Sequence, residues 1–300
     1  MLAGEAARQL EMELHVLDLR SEFEKIIEYF CEEYKSGRTP NPCVVCNRTI
    51  KFGRLWEFAK SKGVDLFATG HYARILPTAN GKGLFRAVDE VKDQSYALAM
   101  IDRTMLDHII LPLGQFTKTQ TRQMAKELGL VTATSEESQE ICFIPDNDHI
   151  GFIENRCPEI VRKGKVIDNE GRVLGEHDGV HRFTIGQRRG IRIAMGEPWF
   201  VVKVDAETNT VTLGPKNQVM HKKLLVSNVN WLIEQPRSPL RTMVKIRYNA
   251  RPVDATVTPE GRQVCIEFDE PASAITPGQL AVFYVDTQVA GAGWIEKVFD

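Results

Sequence analysis

The hydrophobic period of this chain changes once, near residue 160, and that change excludes a single uniform fold. Upstream, apolar residues recur at helical spacing between short apolar runs. The stretch 21–37 carries Phe23, Ile26, Ile27, Phe30, Cys31 and Tyr34 on one helical face, with Ser21 and Glu24 as a capping box and Gly37 as the stop. Residues 44–62 repeat the pattern through Ile50, Phe52, Leu55, Trp56 and Phe58. Residues 116–129 do so behind a Thr117–Gln120 capping box that ends at Gly129. Residues 3–12 have helix-forming composition, while ELHVLDL (13–19) and VDLFATGHY (64–72) read as strands. Helices alternating with strands predict a parallel-sheet α/β domain. Downstream the pattern is almost purely β. GKVIDNEGRVLGEH (164–177) has the form of a hairpin, WFVVKVDAETNTVTLGP (199–215) gives two strands, and LLVSNVNW, TMVKIRY, VDATV, QVCIEF, LAVFYV and GWIEKVF follow as short strands. Turn chemistry at Pro259-Glu260-Gly261 and Pro277-Gly278 separates them, and two small β units meeting near residues 215–225 are expected.

A chain of 300 residues has room for two or three such units, each with its own core. Apolar residues at 43% and charged residues at 26% exclude a disordered chain. No apolar run approaches the roughly 18 residues of a membrane span, and MLAGEAARQLEME lacks a signal-peptide pattern, so a cytoplasmic protein without a membrane partner is expected. The formal charge of −2 excludes a globally basic protein, and any nucleic-acid partner must meet a local patch. Cysteines at 31, 43, 46, 142, 157 and 265 are unevenly spaced and read as thiols or ligands rather than a secreted disulfide framework.

The segment RTPNPCVVCN (38–47) concentrates the chemistry. Asn41 is a good N-cap, and Pro42 suits the first helical position because its missing N–H has no intrahelical partner there. Cys43 and Cys46 then share one face of the opening turn, where the partial positive charge of a helix N-terminus favours thiolate. A zinc or structural pair, a thioredoxin-like redox pair and catalytic sulfur all stay open on these residues alone. No second CxxC or CxxH completes four zinc ligands, and the β-α-β surroundings of a redox pair are absent. Cys142, in SEESQEICFIP, reads either as a remote partner or as a buried small apolar residue. Cys31 lies on a core face, and Cys157 and Cys265 show no partner pattern.

Taken together, NPCVVCN, IKFGRLWEFA, FATGHYAR, VKDQSYAL, SQEICFI, FTIGQRRG and TPGQLAVFY closely resemble the tRNA-specific 2-thiouridylases, the MnmA family of tRNA-uridine 2-sulfurtransferases, in the family's order along nearly the whole chain. The resemblance implies an adenine-nucleotide α-hydrolase-type, Rossmann-like domain over 1–155, a central β-rich domain over 156–222 and a C-terminal β-barrel over 223–300. It implies ATP with Mg2+ as cosubstrate, tRNAs for Lys, Glu and Gln as substrates, and a sulfur-donor protein or cysteine desulfurase as partner. ATP adenylates O2 of the wobble uridine, a persulfide delivers sulfur to C2, and AMP leaves. By the same resemblance Cys142 carries the persulfide and Cys46 is the nucleophile, able to pair with Cys142 in an alternate disulfide. Asn41, Pro42 and Cys43 meet the target base, Gly70 contacts ATP, and His71, Lys92, Asp93, Gln94, Arg247, Tyr248 and Gln279 contact tRNA. Each has a plainer rival: His71 as a satisfied turn histidine, Lys92–Gln94 as a helix cap with Asp93 on free N–H groups, and Arg247 and Tyr248 alternating on a strand. Arg182, Arg188, Arg189 and Arg192 near Trp199 and Phe200 read as phosphate contacts rather than merely a solvated face.

Two departures from the family pattern shape further expectations. The Ser-Gly-Gly-x-Asp-Ser pyrophosphate loop is missing from the sequence, which leads us to expect an N-terminally truncated version that keeps thiol and tRNA determinants, binds ATP abnormally and leaves a sheet edge unpaired. A noncatalytic tRNA-binding remnant is therefore the alternative class, with a stand-alone thiol oxidoreductase third. Cys43 stands where well-known members carry Asp and other members carry Cys. Cys43, Cys46 and Cys142 would then supply three ligands of a [4Fe–4S] cluster with one open iron.

Overall fold

The computed structural model describes residues 2–133, 141–144, 146–191, 193 and 196–299. The first half begins with α1 (Leu2–Gln9) and α2 (Arg20–Lys35), then a continuous helix of three segments: α3 (Pro42–Cys46), a π-helical stretch (Asn47–Leu55) and α4 (Trp56–Ser61). There follow β1 (Phe67–Ala68), β2 (Ala73–Thr78), β3 (Gly81–Arg86), α5 (Ser95–Leu98), β4 (Ile109–Ile110), α6 (Lys118–Glu127) and α7 (His149–Arg156). β1 and β4 pair in parallel, as an α/β unit requires. The helix stops behave as the sequence dictates: Gly37 and Gly129 both take positive φ, and Thr117 and Gln120 form the capping box.

Two local expectations need correction. Residues 13–19 form no strand; Leu14 is 51% and Val16 88% exposed, because among the described residues no neighbouring strand offers them a ladder. The Ser21–Glu24 capping box does not form: α2 starts at Arg20, so Ser21 already lies inside the first turn and its hydroxyl donates to Glu22 instead. β2 and β3 form a hairpin that closes at Thr78 and Gly81, for which Asn80-Gly81 supplies the usual signal.

The middle of the chain folds as a four-stranded sheet of β5 (Gly164–Ile167), β6 (Val173–His177), β7 (Phe200–Asp205) and β8 (Thr210–Gly214), in the order β6-β5-β8-β7. The last part contains β9 (Met220–Trp231), β10 (Leu240–Lys245), β11 (Val253–Glu260), β12 (Gln263–Ser273), β13 (Leu280–Val285) and β14 (Gln288–Phe299). Their antiparallel pairings run β9-β12-β11-β10-β13-β14 and return to β9, which closes a six-stranded barrel without free edges. Expected as a strand through Tyr248, TMVKIRY leaves the ladder at Lys245, so Arg247 and Tyr248 lie beyond β10.

One strand explains how barrel and first half are joined. In LAVFYV every residue from Leu280 to Tyr284 is buried, because the two faces of β13 serve two cores. Ala281 and Phe283 fill the barrel with Val244, Val257 and Ile266, whereas Leu280, Val282 and Tyr284 pack against Tyr96, Leu98, Met100 and Leu106 of the first half. Burying each of the larger side chains is worth roughly 1.5–3 kcal/mol. The hairpin β2–β3 adds to the same junction by pairing Phe85 with Gln288 of β14. No described helix is long and apolar enough to cross a membrane.

Candidate active site

Asn41 caps the thiol-bearing helix by accepting from the Val44 N–H at 3.4 Å, and Pro42 sits buried in the first helical position. The reading of the local backbone is met. Cys43 is exposed and Cys46 partly so. Cys142 arrives from far along the chain, and its apolar neighbours explain its position. Ile144 is buried, and the Phe143 ring meets Phe23, Phe30 and Phe152 edge-on or tilted at 5.7, 5.4 and 5.4 Å, which fastens the segment to the face of α2. The Cys142 side chain itself is exposed, so the buried-residue reading of it is set aside. A charge on it would push up both Cys43 and Cys46, so Cys142 lies within electrostatic reach of the other two thiols.

The electrostatics of that site differ from the expectation of helix-activated thiolates. Desolvation pushes the thiols of Cys43 and Cys46 up from their ordinary value, and it outweighs the nearby positive charge. That charge belongs to Lys51, which the sequence reading did not single out. The signal was hard to see: in an α-helix of about 3.6 residues per turn the fifth residue on is rotated away, whereas the i→i+5 ladder of the π-helical stretch brings residue 51 back toward residue 46. Lys51 Nζ also lies 3.4 Å from His71 Nε2, and His71 Nδ1 lies 2.8 Å from Thr69 Oγ1. Burial first, and Lys51 second, push His71 down to about 4. A neutral imidazole accepting from Lys51 at Nε2 carries its proton on Nδ1 and donates it to Thr69. His71 is thus held inside the site with both ring nitrogens engaged.

The remaining expected residues divide into those that face outward and those committed internally. Asp93 is 2% exposed, and its oxygens accept from the N–H of Ala87 and Ser95 and from the Ser95 hydroxyl. Gln94 accepts from Tyr72 N–H at 2.9 Å, while Lys92 is half-buried. Asp93 thus satisfies N–H groups at the start of α5, and Gln94 ties the same turn to Tyr72. Arg247 donates to Ile185 O at 2.8 Å, to Ala274 O at 2.5 Å and to Thr276 Oγ1, which knits the middle sheet to the barrel. Tyr248 is exposed; its ring meets buried Tyr96 at 6.0 Å, Lys245 Nζ lies over both rings, and a charge on Cys43 reaches its hydroxyl. Gln279 donates to Thr39 O and Pro40 O, just ahead of the thiol helix. Gly70 lies exposed past β1, and a Cβ there would touch only Leu113 at 3.7 Å, so the backbone is open to a ligand. Of the basic cluster, Arg188 and Arg189 are exposed, Arg182 is paired with Glu154 at 2.5 Å, and Arg192 lies outside the described residues.

All six cysteines are free thiols in this structure, with no Cys46–Cys142 disulfide. Among the described residues no group of three or more His, Cys, Asp or Glu side chains is set to hold a metal ion, and that includes Cys43, Cys46 and Cys142.

With the site in view, comparison with known proteins is informative. Residues 2–146 match a family described as the tRNA methyl transferase HUP domain, 150–215 its PRC-barrel domain, and 221–295 the aminomethyltransferase beta-barrel domain. A tRNA-specific 2-thiouridylase MnmA from Carboxydothermus hydrogenoformans is 46% identical over 98% of this chain and 82% of its own length. The chain belongs to the tRNA-specific 2-thiouridylase family. Relatives with the same description from Acetivibrio thermocellus and Syntrophotalea carbinolica are 45% and 44% identical, each over 98% of this chain, covering 83% and 84% of their own lengths. This 2-thiouridylase thus has a Rossmann-like HUP domain, a PRC-barrel and a six-stranded β-barrel, and Cys43 of the HUP domain lies within electrostatic reach of Tyr248, beyond barrel strand β10.

Proposed function

We propose that this protein is a cytoplasmic, ATP-dependent sulfurtransferase that converts the wobble uridine of tRNA to 2-thiouridine. What supports the reading is that Cys142, from a distant stretch, lies within electrostatic reach of Cys43 and Cys46, with the exposed Tyr248 within reach of Cys43. An unactivated uracil oxygen is a poor leaving group; ATP, bound with Mg2+ where Gly70 leaves the backbone open, supplies the adenylyl group that makes O2 leave as AMP. The chain's own residues do the rest. A sulfur-donor protein or cysteine desulfurase loads Cys142, whose exposure suits that exchange. The outer sulfur of the persulfide bonds to C2, Cys46 attacks the inner sulfur of Cys142 to break the S–S bond, and the resulting Cys46–Cys142 disulfide is returned to two thiols by an external thiol reductant. Asn41, Pro42 and Cys43 line the approach of the base, and the Tyr248 ring offers it a stacking surface once it has left the anticodon stack.

For the tRNA as a whole, exposed Arg188 and Arg189 supply phosphate contacts. His71, Asp93 and Gln94 act from inside, by shaping the pocket wall, and Lys92 faces the RNA from the same turn. The substrates proposed are tRNAs for Lys, Glu and Gln. We divide the chain at 155/156 and 222/223, with the hairpin β2–β3 attached to the barrel.

The test is thiolation of unmodified tRNA by the purified protein with ATP and a persulfide donor, read by retardation of the thiolated RNA in a mercury-containing gel. ATP-dependent retardation that needs both Cys46 and Cys142 is expected. Binding of tRNA with no thiolated product would overturn the reading and leave a noncatalytic RNA-binding protein.

A further inference from the structure

The segment that leads into the thiol helix is held from the barrel side by more contacts than a surface connection needs. Gln279 Nε2 donates to Thr39 O at 3.1 Å and to Pro40 O at 3.0 Å. Thr39 N–H donates to Pro277 O at 3.0 Å, and Gly278 N–H to Ile295 O at 3.0 Å. Gly278 has φ +88, and a Cβ there would fall 2.8 Å from Thr39 O and 2.7 Å from Glu33 Oε2, so the turn presses directly on the lead-in. From the other side Arg38 spans two domains: Nε meets Glu33 of α2 at 2.9 Å, and Nη1 meets Glu296 of β14 at 2.9 Å. Glu296 is in turn held by the Ser227 hydroxyl at 2.6 Å. The backbone from 39 to 42 therefore lies between a side chain of the barrel and an ion pair to the barrel. Two of its residues are prolines whose fixed φ leaves few other paths.

We propose that Arg38 and Gln279 are positioning residues that clamp the Thr39–Pro42 segment onto the barrel and so set where Cys43 and Cys46 stand relative to the base. This rests on the thiolation reading for its consequence in the reaction, while the clamp itself does not depend on it. It gives Gln279 a role that a contact with tRNA does not. Both donors of its side-chain amide are aimed at carbonyl oxygens of its own chain, and an amide so engaged has its acceptor oxygen left for a partner outside. The barrel then does more than bind RNA: it supplies the back wall of the sulfur site. Rigid support of this kind matters because a misplacement of about 1 Å can cost on the order of 100-fold in rate.

The experiment uses the full chain and three variants, Gln279→Ala, Gln279→Glu and Arg38→Met, first without tRNA or ATP. Hydrogen exchange at residues 39–46 is followed by mass spectrometry. A clamp predicts exchange at least about tenfold faster in all three, fastest in Gln279→Glu, whose carboxylate faces two carbonyl oxygens, with β9–β12 exchange unchanged as a control for folding. In thiolation assays kcat should fall about tenfold or more, with KM for tRNA within about twofold. Unchanged exchange in Gln279→Ala, or faster exchange accompanied only by a raised KM, would overturn the proposal. If the wild-type chain does not thiolate at all, the exchange result still decides the clamp.

Discussion

Two groups of cysteines, one around the thiol helix and one where α2 meets the end of α7, differ in nearly every respect. On one side Cys43, Cys46 and Cys142 gather where protein and solvent meet, with Lys51 and Tyr248 close by. On the other, Cys31 and Cys157 are 2% and 8% exposed, and their thiols lie within hydrogen-bonding reach of each other. Burial pushes Cys31 up to about 12, so it is a neutral thiol under any ordinary condition. The contrast shows that proximity alone does not make sulfur useful. The outer group can be reached and sits by a cation, whereas the inner pair is buried where α2 meets the end of α7.

The strongest way to break this comparison is by substitution. Cys46→Ser or Cys142→Ser should reduce thiolation by roughly a thousandfold or more, while Cys31→Ala should stay within about twofold in rate and lose on the order of 1 kcal/mol of stability. Steady-state thiolation and denaturant unfolding measure the two sides. Reactivity sharpens the same contrast: iodoacetamide at pH 8 should label Cys43 and Cys142 first and Cys46 next, leaving Cys31, Cys157 and Cys265 unlabelled until urea is added, as peptide mass mapping would show.

A smaller effect concerns Lys51. The Cys46 thiol is held above its usual range by desolvation despite that cation, so its alkylation rate should still be climbing above pH 9. Lys51→Met should slow alkylation of a Cys43→Ser, Cys142→Ser background by roughly three- to tenfold at fixed pH, because the cation that favours the thiolate is gone. Lys51→Arg should restore it.

Different in kind is the effect of His71 on stability. Its value falls from 6.5 to about 4 on folding, so below 6.5 the unfolded chain binds a proton that the folded chain refuses. That contribution is complete above pH 6.5 and disappears as the pH drops toward 4. Chemical denaturation across this window should reveal a decline of about 3 kcal/mol, flattened in His71→Gln.

Much of this architecture was legible because local rules and burial agreed. The helix at residues 20–35, the capping box at Thr117 and the run of barrel strands all carried their periods openly. Segment 13–19 misled because alternating apolar residues make a strand only when a partner ladder exists, and periodicity cannot report one. At the site, Asn41, Pro42 and Cys43 could be placed from capping grammar alone. Lys51 could not, because its approach to Cys46 depends on a π-helical stretch that no propensity scale signals. The double duty of β13 was visible only as an unbroken apolar run, which a strand buried on both faces and a short core helix display alike.

That shared strand has an implication for biogenesis. A ribosome delivers Tyr96 and Leu106 long before Leu280 and Val282, so the earlier segment must wait, its greasy side uncovered, until the later one emerges. Contacts of such long sequence separation form slowly. The nascent chain is consequently a natural client for a holding chaperone, and its sulfur chemistry is switched on only after translation has passed the sequence that completes the sheet.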